Sequence, residues 1–214
     1  MSLDLVWQRL AGFESVRTIT IASLEPLAQA QMDFRVRDDR WSIGQTADHL
    51  LKSELLYRTE IERLVALARD GKTPRSRYTF ADIDVRPLGL PVSVLTRFEK
   101  PLSAISRSLP DGVRSYLTVN PVVPARNPGI AEPANRRPVP DLIADLQAAM
   151  AMTRAVIVDN VDLPLDEMRV EHPLTGITNV SDILLFLTRH ETRHQGQMET
   201  VRRASRFPGR PDAA

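Results

Sequence analysis

The chain has 214 residues, 43% of them hydrophobic, with 28 Lys+Arg against 27 Asp+Glu for a net charge of +1. That is the composition of one globular domain with a full core, and the balanced charge excludes the broad basic footprint of a protein that grips nucleic-acid backbone. Cysteine is absent, which excludes disulfides, thiolate zinc sites and cysteine nucleophiles and leaves only nitrogen and oxygen as metal ligands.

No run approaches the ~20 apolar residues of a membrane span, and the opening MSLDLVWQRL lacks a signal peptide's apolar block. The expectation is a single cytoplasmic domain over 1–214, with no membrane or nucleic-acid partner. The basic residues include only three lysines, Lys52, Lys72 and Lys100. The many arginines do not deprotonate, so amine chemistry has few candidates.

Proline maps the elements. Eleven of 16 prolines fall between Pro74 and Pro140, leaving 27–73, 141–163 and 174–207 clear for long helices. The first helix is expected over 3–22, with Leu3, Val6/Trp7, Leu10, Phe13/Glu14 and Arg17 on one stripe. A second is expected over 43–70, opened by a Ser42/Gln45 capping box and striped by Thr46, Leu50, Ser53, Leu56/Tyr57, Ile61, Leu64 and Leu67/Ala68.

A short helix is expected over 92–108, bent at Pro101, followed by a Pro-rich loop over 110–138, a length usual for functional or mobile segments. The third long helix is expected over 140–159, with Pro140 in its first turn and Leu142, Leu146, Ala149/Met150, Thr153 and Val156/Ile157 facing inward. The fourth is expected over 180–205, capped by Asn179 or Ser181 and ending on Arg202, Arg203 and Arg206. Residues 207–214 read as a disordered tail. The β-branched pieces at 119–123 and 168–170 are too weak to build a sheet, so the fold class is all-α.

Four histidines carry the candidate chemistry: His49, His172, His190 and His194. His190 and His194 stand one helical turn apart on one face, so both imidazoles can reach a single cation. Two unpaired imidazoles on a buried stripe are costly without a partner, which a metal would supply. His49, read alone, fits a hydrogen-bonded core histidine better than a ligand. His190–Glu191–Thr192–Arg193–His194 also spells H-E-x-x-H, the zinc metalloprotease helix. The extended form of that motif needs Gly and His where Gln197 and Thr200 stand. Only 20 residues follow His194 to supply a later ligand, and Glu199 lies on the same helix at an unhelpful angle. Protease activity is therefore not expected.

Three segments resemble the DinB-like metalloprotein superfamily, the group of DinB, YfiT and bacillithiol-transferase proteins. They are Arg40-Trp41-Ser42-Ile43-Gly44-Gln45 running on to His49-Leu50, then His172-Pro173-Leu174-Thr175-Gly176 with Thr178, and finally His190-x3-His194-x2-Gln197. They cover about 1–70 and 139–205, and the Pro-rich middle has no counterpart. The resemblance implies a DinB-like four-helix bundle with a long crossover connection, the short extra helix lying in the Pro-rich insertion. It implies a divalent metal such as nickel or zinc on His49, His190 and His194, and a homodimer. His172 would take a structural or rim role.

Three neutral imidazoles leave a divalent ion open positions for water or substrate and keep its full charge, which suits an anionic nucleophile. Asp48 and Glu191 adjoin these histidines but point ~100° away, as surface residues or as partners of ligands. Gln197 has the face to touch bound water or substrate. Tyr57, Glu60 and Lys52 either line the same cleft or form solvated helix surface. Characterised relatives of this group include thiol-cofactor S-transferases, a thiol-dependent isomerase and sulfur-transfer domains. The expected function is thus metal-dependent thiol transfer or isomerisation of a small molecule, with a low-molecular-weight thiol as cosubstrate. The alternatives are a metal-dependent hydrolase of a small amide or ester, and a non-catalytic metal- or ligand-binding stress protein.

Overall fold

The computed structural model describes residues 3–78, 131–172 and 176–209. These form α1 (Leu3–Leu24), α2 (Gln29–Asp33), α3 (Ile43–Arg69), β1 (Arg75–Arg77), α4 (Val139–Val158), β2 (Arg169–His172), β3 (Gly176–Thr178) and α5 (Val180–Arg202). The four long helices begin and end within three residues of their expected bounds.

Local chemistry sets those bounds. Ser42 Oγ accepts the Gln45 N–H at 3.1 Å while Gln45 Oε1 accepts the Ser42 N–H at 3.0 Å, the reciprocal box that opens α3. Asn179, rather than Ser181, caps α5 in the same way with Asp182. At the far end of α3, Gly71 takes φ 69° and closes the last turn through Gly71 N–H to Ala68 O and Lys72 N–H to Leu67 O. Gly44 lets α2 approach α3: a Cβ there would stand 3.2 Å from the Met32 carbonyl oxygen.

α1 packs on α5 and α4, and α3 packs on the same two, so α1 and α3 occupy one diagonal of a four-helix bundle. The apolar core falls in two parts. One gathers Val6, Leu10, Phe13, Ile61, Leu64, Ile157 and Leu187. The other gathers Ile21, Leu24, Ile43, Leu50, Leu142, Leu146 and Met198. Each fully buried Leu, Ile or Phe in them contributes on the order of 1.5–3 kcal/mol. Between them, turn for turn along the helices, lies a buried polar layer of Arg17, Glu54, Thr153, Glu191 and His194.

Several expectations are corrected. A small sheet exists: β1 pairs with β2 in parallel through Arg75↔Arg169, and β2 pairs antiparallel with β3 through Val170↔Thr178. Strands of three or four residues are too short to show alternation, so the 168–170 piece gave little signal. Leu56 lies 41% exposed, outside the stripe to which its spacing assigned it. The tail is not loose at its start, since Phe207 is buried edge-on to Phe34 with ring centroids 5.6 Å apart. The helix at 92–108, the 119–123 piece, most of the 110–138 loop and residues 210–214 lie outside the described residues. Among the described residues, no helix is long and apolar enough to cross a membrane.

Candidate metal centre

The reciprocal cap at Ser42 fixes where α3 starts, and so places His49 in its second turn, facing α5. Its 3% exposure confirms that it faces inward. On α5, the four-residue spacing puts His190 and His194 on the face opposed to it. His49 Nε2 lies 3.3 Å from His190 Nε2, and His194 Nε2 lies 3.0 Å from the same atom. One ring nitrogen from each of the three falls within 4.8 Å of the others.

The remaining nitrogens settle the tautomers of two rings. His49 Nδ1 stands 2.9 Å from the Ala131 carbonyl oxygen, and His194 Nδ1 stands 2.7 Å from Gln197 Oε1. Both partners only accept, so both Nδ1 atoms carry the proton and both Nε2 lone pairs turn toward His190. His190 Nε2 can donate to one of them at most. Among the described residues the other lone pair has only the Ser53 hydroxyl as a donor, a long contact at 3.4 Å from His49 Nε2 that a cation at the common point would replace. A tetrahedral ion with bonds of about 2.0–2.1 Å keeps its ligands about 3.3–3.4 Å apart, which the His49–His190 spacing of 3.3 Å matches and the His190–His194 spacing of 3.0 Å approaches.

All three rings are held neutral. Burial, then the neighbouring imidazoles, push His190 down to about 2. Burial and then His49 push His194 down to about 4, against the Gln197 hydrogen bond. Burial also lowers His49, opposed by the Ala131 carbonyl and Asp48. Neutral imidazole is the form that binds metal, and an orienting carbonyl on the other nitrogen is its usual support.

A family model of the DinB superfamily matches residues 13–198. The chain belongs to the DinB superfamily. That superfamily is metal-binding, and the three-histidine group is where this member can hold a metal. No curated protein and no solved structure matches the chain.

Within this DinB bundle the other candidate residues divide. Gln197 does sit beside the trio, but its amide oxygen is occupied in orienting His194. Tyr57 is one ring removed: it packs on Phe186 at 4.7 Å, and Phe186 stacks on His190 at 5.3 Å. Burial pushes the Tyr57 phenol up to about 12, so it stays protonated and is no base for the site. Glu60 is not brought to the histidines. Eleven residues along α3 from His49, or about 16 Å, it accepts hydrogen bonds from Ser76 and Tyr78 and anchors β1. His172 lies on β2, paired with Gly176.

Asp48 and Glu191 are both 1% exposed, so neither is surface. Glu191 accepts from Arg17 Nε at 2.8 Å, so its carboxylate is taken up in that buried ion pair. The H-E-x-x-H match therefore lacks its glutamate base, and the metalloprotease reading fails on geometry. Asp48 turns to the segment just before α4, accepting from Ala134 N–H at 2.6 Å and Arg137 Nη1 at 2.8 Å. Lys52 Nζ lies 2.9 Å from the same carboxylate and donates to the Glu132 carbonyl at 2.6 Å, so it joins this contact rather than a cleft wall.

Three neighbours were not singled out from sequence as site residues. Trp41 has its ring 4.9 Å from His49 and 6.4 Å from His194, across the cluster from Phe186. Its place one residue before the Ser42 cap was the signal for it, and Phe186 stands one turn before His190. Ala131 acts through its backbone oxygen, for which a sequence has no mark.

Proposed function

We propose that His49, His190 and His194 hold one divalent metal ion, zinc or nickel, and that the protein is a metal-dependent enzyme of small-molecule thiol transfer or isomerisation. The observation that supports the metal most is the convergence of three neutral imidazoles whose outward nitrogens, on two of them, are already committed to carbonyl oxygens. A bound ion would supply a Lewis acid of undiminished charge, favouring the anionic form of a thiol or water.

The chain's own residues do the rest. The Ala131 carbonyl and Gln197 fix ring orientation, and Trp41 and Phe186 form apolar walls on two sides that limit water around the cluster. Ser53 Oγ, 3.4 Å from His49 Nε2, presents a hydroxyl to the centre that can share a hydrogen bond with a bound small molecule.

Thiol chemistry is favoured over hydrolysis by where the carboxylates point. Of the buried carboxylates on α3 and α5, Glu54 and Glu191 are engaged by Arg17, and Asp48 by Arg137, Lys52 and the Ala134 N–H. Among the described residues no free carboxylate faces the trio to take a proton from water. A thiol ionises near 8.5 and needs only a positive field to become the nucleophile.

Cobalt-loaded protein titrated with a small thiol tests this. Sulfur entering the coordination sphere adds charge-transfer bands and shifts the ligand-field spectrum, as water exchange does not. The expected result is a saturable change that follows thiol ionisation. A cobalt spectrum indifferent to thiols would remove the transferase reading and leave hydrolysis of a small amide or ester, or metal binding without catalysis.

A further inference from the structure

The last residues before α4 are strapped across the first three turns of α3. Four side chains of α3 reach them: Gln45 Nε2 donates to Asn135 Oδ1 at 2.8 Å, Lys52 donates to the Glu132 carbonyl, Asp48 takes Ala134 N–H and Arg137, and His49 Nδ1 donates to the Ala131 carbonyl. Asp48 is the hub, because its two oxygens bind three of the strap's anchoring groups: Ala134 N–H, Arg137 and, through Lys52, the Glu132 carbonyl. Arg137 is held in turn by Asp145 on α4. Between these contacts Arg136 adopts φ 54°, a left-handed conformation that a non-glycine residue keeps only where its surroundings enforce it.

A strap so placed does one thing for the imidazoles. It sets a carbonyl oxygen, itself on a 4% exposed residue, against the outward nitrogen of His49. Loosened, that oxygen would leave the ring free to exchange tautomers, and a ring in the exchanged form would turn an N–H instead of a lone pair toward His190.

We propose that Asp48 is a positioning residue of the metal centre: by pinning 131–137 onto α3, it holds the Ala131 carbonyl that fixes His49 in its ligand-ready tautomer. This rests on the metal reading above. Asp48 is no ligand, and acts only through the strap. The consequence is that the segment leading into α4 and the affinity for metal are coupled.

The test uses Asp48→Asn, which keeps shape and one acceptor oxygen but cannot serve Ala134, Arg137 and Lys52 together. Arg137→Gln loosens the strap without touching α3, and Asp145→Asn, which removes only the outer partner of Arg137, is the control. Long-range 1H–15N spectra of the metal-free protein, labelled at histidine, read the His49 tautomer directly. Zinc competition against a chelating dye reads affinity.

The expected result is a protonated Nδ1 in the native chain, a mixture in Asp48→Asn and Arg137→Gln, and zinc affinity lowered ~10–100-fold in Asp48→Asn. Asp145→Asn should stay within about twofold. A His49 signal and a zinc affinity unchanged in folded Asp48→Asn and Arg137→Gln would overturn the proposal while leaving the metal site standing. A native chain that takes up no zinc would instead overturn the metal reading and this one with it. If Asp48→Asn does not fold, Arg137→Gln alone decides.

Discussion

Two buried polar clusters share the interior of this bundle, and they are built oppositely. In the first, Arg17 of α1 reaches Glu191 of α5 through Nε at 2.8 Å, Glu54 of α3 through Nη1 at 2.6 Å and the Leu146 carbonyl of α4 at 3.3 Å. Thr153 completes Glu54 with a 2.7 Å hydrogen bond. Both carboxylates meet the one guanidinium within the chain, and all four long helices are tied by it. In the second, three imidazoles meet chiefly one another, with lone pairs converging on a common point. The first cluster is closed chemically and reads as scaffold. The second is open, and an open polar cluster in a packed interior is where a ligand belongs.

Breaking the closed cluster should have the largest effect. Arg17→Met leaves two carboxylates buried without their cation, which costs about 3–5 kcal/mol. Urea unfolding of the metal-free variant should show this as a lower midpoint. His190→Ala, by contrast, removes a ring that the metal-free protein does not need, and should stay within about 1 kcal/mol of native. Equal losses in the two variants would mean that the clusters do not differ in kind.

Acid sharpens the same contrast. His190 and His194 have folded pKa values well below the unfolded 6.5. Between those values the unfolded chain binds more protons, so stability rises with pH in that window. It is complete above about 6.5 and lost as pH falls toward the folded values, by up to about 1.4 kcal/mol per pH unit for each ring. Glu54 acts with opposite sign from about 4.5 upward, because burial raises its carboxyl against the pull of Arg17. Unfolding midpoints of metal-free protein between pH 7.5 and 5.5 should therefore decline, and the decline should flatten in the His190→Ala/His194→Ala variant. A native slope that survives in that variant would place the acid sensitivity elsewhere.

The scaffold was legible because proline-free stretches, apolar stripes and caps each left a mark at Ser42, Asn179 and Pro140. The trio was legible in part. His190 and His194 declare themselves by spacing on one helix, whereas His49 joins them only through a tertiary contact and needed a family resemblance to be assigned. Glu191 shows the limit of a motif: its five-residue string matches a protease, yet its carboxylate is claimed by Arg17, 174 residues away in the chain. The role of Asp48 was hidden because the groups it holds are a backbone N–H and an arginine 86 and 89 residues away in the chain. Such pairings have no local pattern. The sheet was missed because its strands are shorter than any period that could reveal them.

The central claim is that the open cluster is a metal site, and metal content tests it most directly. Purified native chain and the His190→Ala/His194→Ala variant, each equilibrated with zinc and freed of excess, should be compared by elemental analysis. The account predicts about one ion per native chain and almost none in the folded variant. Equal zinc in both, or none in the native chain, would contradict it.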